Sequence, residues 1–123
     1  MNTPYAGNAI ARVLIWLCRG RFGYLWQYVP VGGDIRARVY FVRYLLPSWA
    51  AGQTWGTYVL IQELYEHDQG LPGLLKHEYV HVWQWHREGL WGLGFLCKYL
   101  YGYLRAGFSY SNNPMEIEAR ILS

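Results

Sequence analysis

The pattern HExxH at residues 77–81 constrains this chain more than any other feature of its sequence. In an α-helix, residues four positions apart lie one turn apart on the same face, so the imidazoles of His77 and His81 can bind one metal ion together. Glu78 can then reach a water molecule beside that metal. Two nitrogen ligands and a carboxylate base are the elements of a zinc-hydrolase site, and they require this stretch to be helical.

The residues around the motif have the periodicity of such a helix. Pro72 suits a first helical turn, and Gly89 marks an end. Between them, apolar residues recur at helical spacing, among them Leu74, Leu75, Val82 and Trp85. The sequence therefore predicts a helix from about residue 71 to 88. The alternative is two surface histidines with a solvated glutamate between them.

Three segments ahead of this helix have the composition of β-strands, namely residues 24–31, 35–46 and 54–65. In the second segment, alternate apolar residues fall on one face, and Pro47 follows its end. Gly56 within the third segment indicates a bulge or a close approach of another backbone.

Helices are predicted at residues 7–18 and 91–105, and a last one begins at Asn113-Pro114, a strong helix-start pattern. This order predicts an α+β domain. We expect a small antiparallel sheet of about three strands, packed against the active-site helix, a glutamate-bearing helix and additional helices. One domain would cover residues 1–123, with residues 1–30 as a helical extension or a segment that covers the site.

Composition narrows the class of protein further. The chain has 123 residues, 53% of them hydrophobic and 15% charged, so it can form one packed core. The formal net charge is +3 and the arginines are scattered, which argues against a nucleic-acid partner. Cys18 and Cys97 are too few for a disulfide framework. The aromatic content of 19% predicts bulky core residues, with an aromatic-lined groove or a membrane-facing patch as the alternative.

No segment has the pattern of a signal peptide or a membrane span. No basic residue precedes Arg12, and the apolar run after it ends at Arg19. Lys98 and three glycines interrupt the apolar stretch over residues 89–104. We therefore expect a cytoplasmic protein, and peripheral contact of either stretch with a membrane is the alternative.

The motif alone does not supply the third ligand that a catalytic zinc ion usually has. His86 is rotated by about 140° from His81 around the helix and should point elsewhere. His67 lies upstream in a loop. Glu116 and Glu118 of the last helix are about 200° apart, so only one of them can face the metal. Glu116 also stands where a glutamate can cap its own helix.

With these residues the chain resembles the gluzincin group of zinc metallopeptidases, and their small bacterial minigluzincin type in particular. The resemblance rests on the HExxH motif, the downstream ExxA segment at residues 116–119, the strand TWGTYVLI, the segment His81-Val82-Trp83-Gln84 and the Asn-Pro-x-Glu segment. It covers roughly residues 53–120. Where many members of the group have an Asp that orients a ligand histidine, this chain has Arg120.

The resemblance implies Zn²⁺ as the cofactor, Glu78 as the general base and an edge strand that binds the substrate backbone. The metal ligands that it implies are His77, His81 and Glu116. Iron or manganese would also suit two histidines and a carboxylate.

The sequence therefore predicts a metallopeptidase that hydrolyses peptide or protein substrates by a metal-activated water. The strand Thr54–Ile61 would pair with an extended substrate. Tyr110, His67 and Tyr79 are candidates for stabilising the oxyanion, and Tyr110 is favoured because it lies in the loop leading to the glutamate helix. The alternative function is a zinc-binding interaction module without significant peptidase activity.

Overall fold

The computed structural model describes residues 3–45 and 50–123. Within these residues the chain forms five α-helices and four β-strands, which confirms the predicted α+β class. In chain order they are α1 Tyr5–Leu17, β1 Arg21–Trp26, α2 Val29–Gly32, β2 Ala37–Val42, β3 Gly52–Trp55, β4 Tyr58–Gln62, α3 Leu71–Glu88, α4 Leu93–Arg105 and α5 Pro114–Leu122. Single turns of 3₁₀ helix at Glu63–Tyr65 and Leu90–Gly92 lie ahead of α3 and α4.

The four strands form one mixed sheet in the order β1-β2-β4-β3. The outer pairs β1–β2 and β3–β4 are antiparallel, and the central pair β2–β4 is parallel. The predicted small sheet packed against helices is thus confirmed, but it has four strands rather than three, and the prediction that it is antiparallel is wrong because β2 and β4 run parallel. The chain first forms β3 at the outer edge of the sheet and then reverses direction at a turn to form β4. Strand β4 therefore runs parallel to β2.

The prediction of one continuous strand over residues 54–65 is wrong. Gly56 has a φ of +66°, which favours glycine, and it forms a turn with Thr57 between β3 and β4. The expected close approach does occur there, because the side chain of Asn8 accepts a hydrogen bond from the Thr57 N–H at 2.9 Å. As a result β3 is an edge strand, and β4 is paired on both sides.

The other strand boundaries differ less. The first predicted strand, 24–31, is β1 at residues 21–26, and α2 begins three residues later with Pro30 in its first turn. The second predicted strand, 35–46, is β2 at residues 37–42. Its expected end at residue 46, before Pro47, lies outside the described residues.

Helices cover both faces of the sheet. One face packs against α3 through buried apolar residues, including Val39, Phe41, Val59, Ile61, Leu75, Tyr79 and Val82. The opposite face packs against α1 through Val42, Leu60, Leu14 and Ile15. The alternation of apolar and charged residues in β2 predicts the burial of the first face only. A central parallel pair is usually buried on both faces, as β4 is here.

The start of α1 is packed against the β3–β4 turn. A Cβ atom added at Gly7 would lie 2.5 Å from the backbone nitrogen of Gly56 and 2.8 Å from the Trp85 ring. Real Cβ atoms do not approach backbone so closely. We therefore expect Gly7→Ala to lower the free energy of unfolding by about 1–3 kcal/mol, measured by urea denaturation.

Gly73 provides the matched control for that prediction. It lies in α3, and a Cβ added there has no other atom within 4 Å. Gly73→Ala should raise the free energy of unfolding by about 0.5–1 kcal/mol, because alanine restricts the unfolded chain. Equal stability of the two variants would show that α1 does not pack as described.

The three C-terminal helices agree closely with the sequence. Helix α3 spans residues 71–88 as predicted, and Gly89 follows its end. The Asn113 side chain caps α5 by accepting a hydrogen bond from the Met115 N–H at 3.0 Å. The same side chain donates to the Tyr99 carbonyl at 3.1 Å, which joins α5 to α4. In residues 3–45 and 50–123, no helix is both long and apolar enough to cross a lipid bilayer.

Candidate metal centre

Helices α3 and α5 bring two histidines and one glutamate together. The imidazoles of His77 and His81 lie side by side on α3, with ring centroids 5.0 Å apart. Oxygen Oε1 of Glu116 lies 3.0 Å from Nε2 of His77 and 3.1 Å from Nε2 of His81. Glu116 is only 2% exposed. Three potential metal ligands from two helices therefore converge on one point.

These separations suit the ligands of a single metal ion. Ligand atoms bound tetrahedrally to zinc at about 2.0–2.2 Å lie roughly 3.3 Å from each other. The two distances to Glu116 are within a few tenths of an ångström of that value. The ligating atoms of His77, Glu78 and His81 also lie within 4.8 Å of one another. Two imidazoles and a carboxylate are a donor set that zinc favours, so the residues present fit this ion.

The second oxygen of Glu116 is held by α4. The Tyr99 hydroxyl donates a hydrogen bond of 2.7 Å to Oε2, which leaves Oε1 facing the two histidines. Burial opposes ionisation of Glu116, but hydrogen bonds from His77, His81 and Tyr99 outweigh it and hold its pKa well below the usual range. The carboxylate of Glu116 is thus ionised and directed at α3, and not back at its own helix cap.

Burial and charge act in opposite directions on His81. Burial lowers the pKa of its imidazole, but the hydrogen bond and charge of Glu116 and the charge of Glu78 raise it by more. A metal ion at Nε2 would compete with a proton for that nitrogen, so metal binding here would release protons.

Glu118, the other carboxylate candidate, is directed away from the histidines. Its Oε1 accepts a hydrogen bond from Gln84 at 2.7 Å, and its Oε2 accepts one from Arg87 at 2.8 Å. The two glutamates of α5 therefore have different surroundings. The structure places Glu116, and not Glu118, beside His77 and His81.

Glu78 is buried next to the edge strand. The hydroxyl of Thr54 in β3 lies 3.0 Å from Oε1 of Glu78 and 3.1 Å from its backbone carbonyl. Burial raises the pKa of Glu78, and the nearby His81, His77 and Thr54 oppose that rise without cancelling it. A carboxylate whose pKa is raised towards neutrality is better suited to accept a proton from water.

The other residues that the sequence suggests for the site, His67, His86 and Tyr79, lie in different parts of the structure. His67 is exposed in the turn before α3. His86 is directed away from the site, as its rotation predicts, and its Nδ1 lies 2.9 Å from the Val82 carbonyl. Tyr79 is fully buried against the sheet, and its hydroxyl donates to the carbonyls of Gly32 and Ile35. Tyr79 therefore cannot reach an oxyanion at the histidines.

Two tyrosines do reach the site. Tyr110 lies beside Glu116, and burial together with the negative charges of Glu116 and Glu78 raises the pKa of its phenol. Burial and Glu116 also raise the pKa of Tyr99. Both hydroxyls are therefore protonated donors at neutral pH. The sequence indicates Tyr110 through its loop position, but it does not distinguish Tyr99 from Tyr101 and Tyr103 on the same helix.

A cavity of about 380 Å³ opens beside these residues. Strand β3 forms one wall, and α3 and α4 form the others. Its lining is mainly aromatic and apolar, with Trp55, Trp85, Phe95, Leu96, Leu100 and Tyr103. Because β4 is interior, the prediction that the whole of Thr54–Ile61 can pair with a substrate is wrong. Of that segment, only Thr54 and Trp55 lie in β3, which is an edge strand.

None of the described residues 3–30 is among those that line this cavity. Strand β1 is part of the sheet, and Trp26 and Tyr28 pack against Tyr79 on the core. The side chain of Trp16 in α1 is largely exposed, at 79%.

Comparisons with known proteins return no protein-family model, curated protein or solved structure that matches this chain. The likeness to gluzincins therefore rests on the motif residues of the sequence alone.

Proposed function

We propose that this protein is a zinc-dependent metallopeptidase with its active site at the junction of β3, α3 and α5. The observation that carries the proposal is the convergence of both imidazole Nε2 atoms on a single oxygen of Glu116. The neighbouring buried carboxylate of Glu78 and the adjoining cavity support it. Together they combine a metal site, a base and space for a substrate.

Each residue of the site has a separate role in this mechanism. His77, His81 and Glu116 would hold the zinc ion, which when bound supplies activation of a water molecule and polarisation of the scissile carbonyl. Glu78 accepts the proton of the water and returns it to the leaving amine. Thr54 orients the Glu78 carboxylate through its hydroxyl.

The substrate in this proposal is an extended peptide with a bulky apolar side chain. Strand β3 has an outer edge along which a peptide can add as a further strand. The carbonyl of Thr54 already accepts a hydrogen bond from the Trp85 indole at 3.3 Å, and its second lone pair remains for a substrate N–H. The aromatic cavity suits an apolar side chain next to the scissile bond.

The hydroxyls of Tyr110 and Tyr99 are the candidate donors to an oxyanion. Both line the cavity together with Glu78 and Glu116. Hydrogen-bond donors already held in position stabilise such a charge effectively, because they need little reorganisation. Tyr110 remains the first candidate, because it lies in the loop that leads to α5 and lines the cavity beside Glu116.

The outer face of α4 supports a second candidate, a zinc-binding interaction module without peptidase activity. Four large apolar side chains are more than half exposed there, Leu93, Leu100, Tyr101 and Leu104. They lie within about 100° of the helix circumference. An exposed apolar stripe of this kind is more usual in a contact surface than on a helix facing water.

Zinc loading and peptide cleavage test the proposal together. We expect purified protein to bind an equimolar amount of zinc by elemental analysis and to cleave members of a diverse peptide library, as detected by mass spectrometry. A chelator should abolish cleavage, and added zinc should restore it. Zinc binding without cleavage at any pH would favour the interaction module, and the absence of zinc binding would reject both candidates.

A further inference from the structure

Gln84 is a buried polar residue at the centre of the α3–α5 contact. Its side chain is 0% exposed and lies one helical turn after His81. Its Oε1 lies 2.8 Å from Nδ1 of His81. Its Nε2 donates to the Met115 carbonyl at 3.0 Å and to Oε1 of Glu118 at 2.7 Å. Every hydrogen-bonding atom of this amide is therefore engaged.

These partners determine which way the amide points. A backbone carbonyl and an ionised carboxylate can only accept hydrogen bonds, so the NH₂ group of Gln84 must face Met115 and Glu118. The amide oxygen is then left facing His81. Because that oxygen can only accept, Nδ1 of His81 must carry a hydrogen.

Arg87 holds Glu118 in the position from which Glu118 orients the amide of Gln84. Its guanidinium donates to the second oxygen of Glu118 at 2.8 Å and lies over the Trp83 ring, 4.6 Å from the centroid. Both oxygens of Glu118 therefore accept hydrogen bonds, one from Gln84 and the other from Arg87. Arg120 takes no part, since its guanidinium donates to the Ser111 carbonyl.

We propose that Gln84 is a positioning residue for the metal site, oriented by the Met115 carbonyl and the Arg87–Glu118 pair. It holds a hydrogen of His81 on Nδ1, so that Nε2, after losing the proton it shares with Glu116, is the nitrogen whose lone pair would bind the ion. This inference rests on the proposed function, and it adds a residue that contacts neither the ion nor the substrate. Partners of this kind fix ring orientation and raise the basicity of a ligand histidine.

A merely structural role for Gln84 would have different consequences. If the amide served only to satisfy the Met115 carbonyl, its loss would change the free energy of unfolding and nothing at His81. The decisive observations are therefore the zinc affinity of the folded protein and the hydrogen on Nδ1 of His81.

Gln84→Met tests the inference, because methionine has a similar length and no acceptor oxygen. We expect the zinc affinity, measured by competition with a chromophoric chelator, to fall by about 10–100-fold. In ¹⁵N-histidine NMR spectra of the zinc-free variant, the signal of the His81 Nδ1 hydrogen should be lost, because that hydrogen no longer has an acceptor and exchanges with water. Wild-type zinc affinity, or an unchanged Nδ1 signal, in a folded Gln84→Met protein would overturn the inference.

The double variant Gln84→Glu/Glu118→Gln is the matched rescue. It exchanges the amide and the carboxylate, so residue 84 again accepts from His81 and residue 118 supplies both an amide donor and an acceptor for Arg87. We expect this double variant to regain most of the lost zinc affinity and the Nδ1 signal. If it folds and remains as weak as Gln84→Met, the proposed role of the acceptor is wrong.

The zinc-free NMR spectra separate this inference from the proposed function. The contact between Gln84 and His81 exists without a metal, so the wild-type Nδ1 hydrogen should already be visible in zinc-free protein. If the wild-type protein binds no zinc, the proposed metallopeptidase function is rejected. An Nδ1 hydrogen that is absent from the wild-type spectrum would reject the role of Gln84, whether or not zinc binds.

Discussion

Replacing Glu78 by glutamine should reduce peptide hydrolysis by at least about 10³-fold and leave zinc binding unchanged. General acid–base catalysis by one side chain contributes about 10²–10⁴-fold, and in this mechanism Glu78 acts both as the base and as the acid. Glutamine has nearly the same shape, so the oxygen that faces Thr54 can still accept its hydrogen bond. The side chains of His77, His81 and Glu116 are not altered.

The measurement is kcat/KM on the best library peptide, with zinc content determined on the same samples. Glu63→Gln is the matched control, because it makes the same chemical change at an exposed residue of the 3₁₀ turn before α3. We expect this control to have wild-type activity. If zinc-loaded Glu78→Gln protein cleaved peptides at the wild-type rate, Glu78 would not be the base, and a different reaction centre would have to be sought.

The sequence predicts the α3 part of the metal site well, because the placement of His77 and His81 on that helix depends on neighbouring residues only. The spacing of His77 and His81 and the helix ends at Pro72 and Gly89 depend only on residues within one helix. The cap of α5 at Asn113 is equally local. In each case the structure has the predicted element, since no distant contact competes with the local preference.

The sheet is predicted less well because it depends on pairing between distant segments. A run of β-forming residues on both sides of Gly56 resembles one strand, and only the contact of Asn8 with Thr57 reveals a turn. The direction of β4 relative to β2 likewise follows from the path of the intervening chain. Gly56 indicates an irregularity in this segment, but no local sequence signal distinguishes a turn from a bulge or gives the direction of β4.

Local sequence patterns also do not predict which side chains hydrogen-bond to the site residues. The sequence patterns do not show which side chains Thr54, Gln84 and Tyr99 contact. Thr54 and Tyr99 each contact a residue of another element, and Gln84 contacts His81 one turn earlier on α3. The choice between Glu116 and Glu118 depends on the rotation of α5 about its axis. One signal for that rotation exists in the sequence, because the apolar neighbours Met115 and Ala119 flank the face that is buried.

Removing the charge of Glu116 tests the choice of the third ligand. Glu116→Gln keeps the shape of the side chain and its contact with Tyr99 but loses the anionic oxygen shared by His77 and His81. We expect zinc affinity to fall by more than the roughly 10–100-fold typical of a lost partner of a ligand. Wild-type protein in zinc at about 100 times its Kd should gain about 2.7 kcal/mol of stability, and the variant should lose that gain.

Glu118→Gln is the matched control, since it makes the same change two residues away on the same helix. Glu118 would act on zinc only through Gln84 and His81, so its replacement should weaken binding much less. Thermal unfolding with and without zinc measures both variants, and chelator competition gives the affinities. If Glu116→Gln kept its stabilisation by zinc and Glu118→Gln lost it, the third ligand would be Glu118. α5 would then have to rotate by about 200° in the zinc-bound protein, because that angle separates the two carboxylates around the helix.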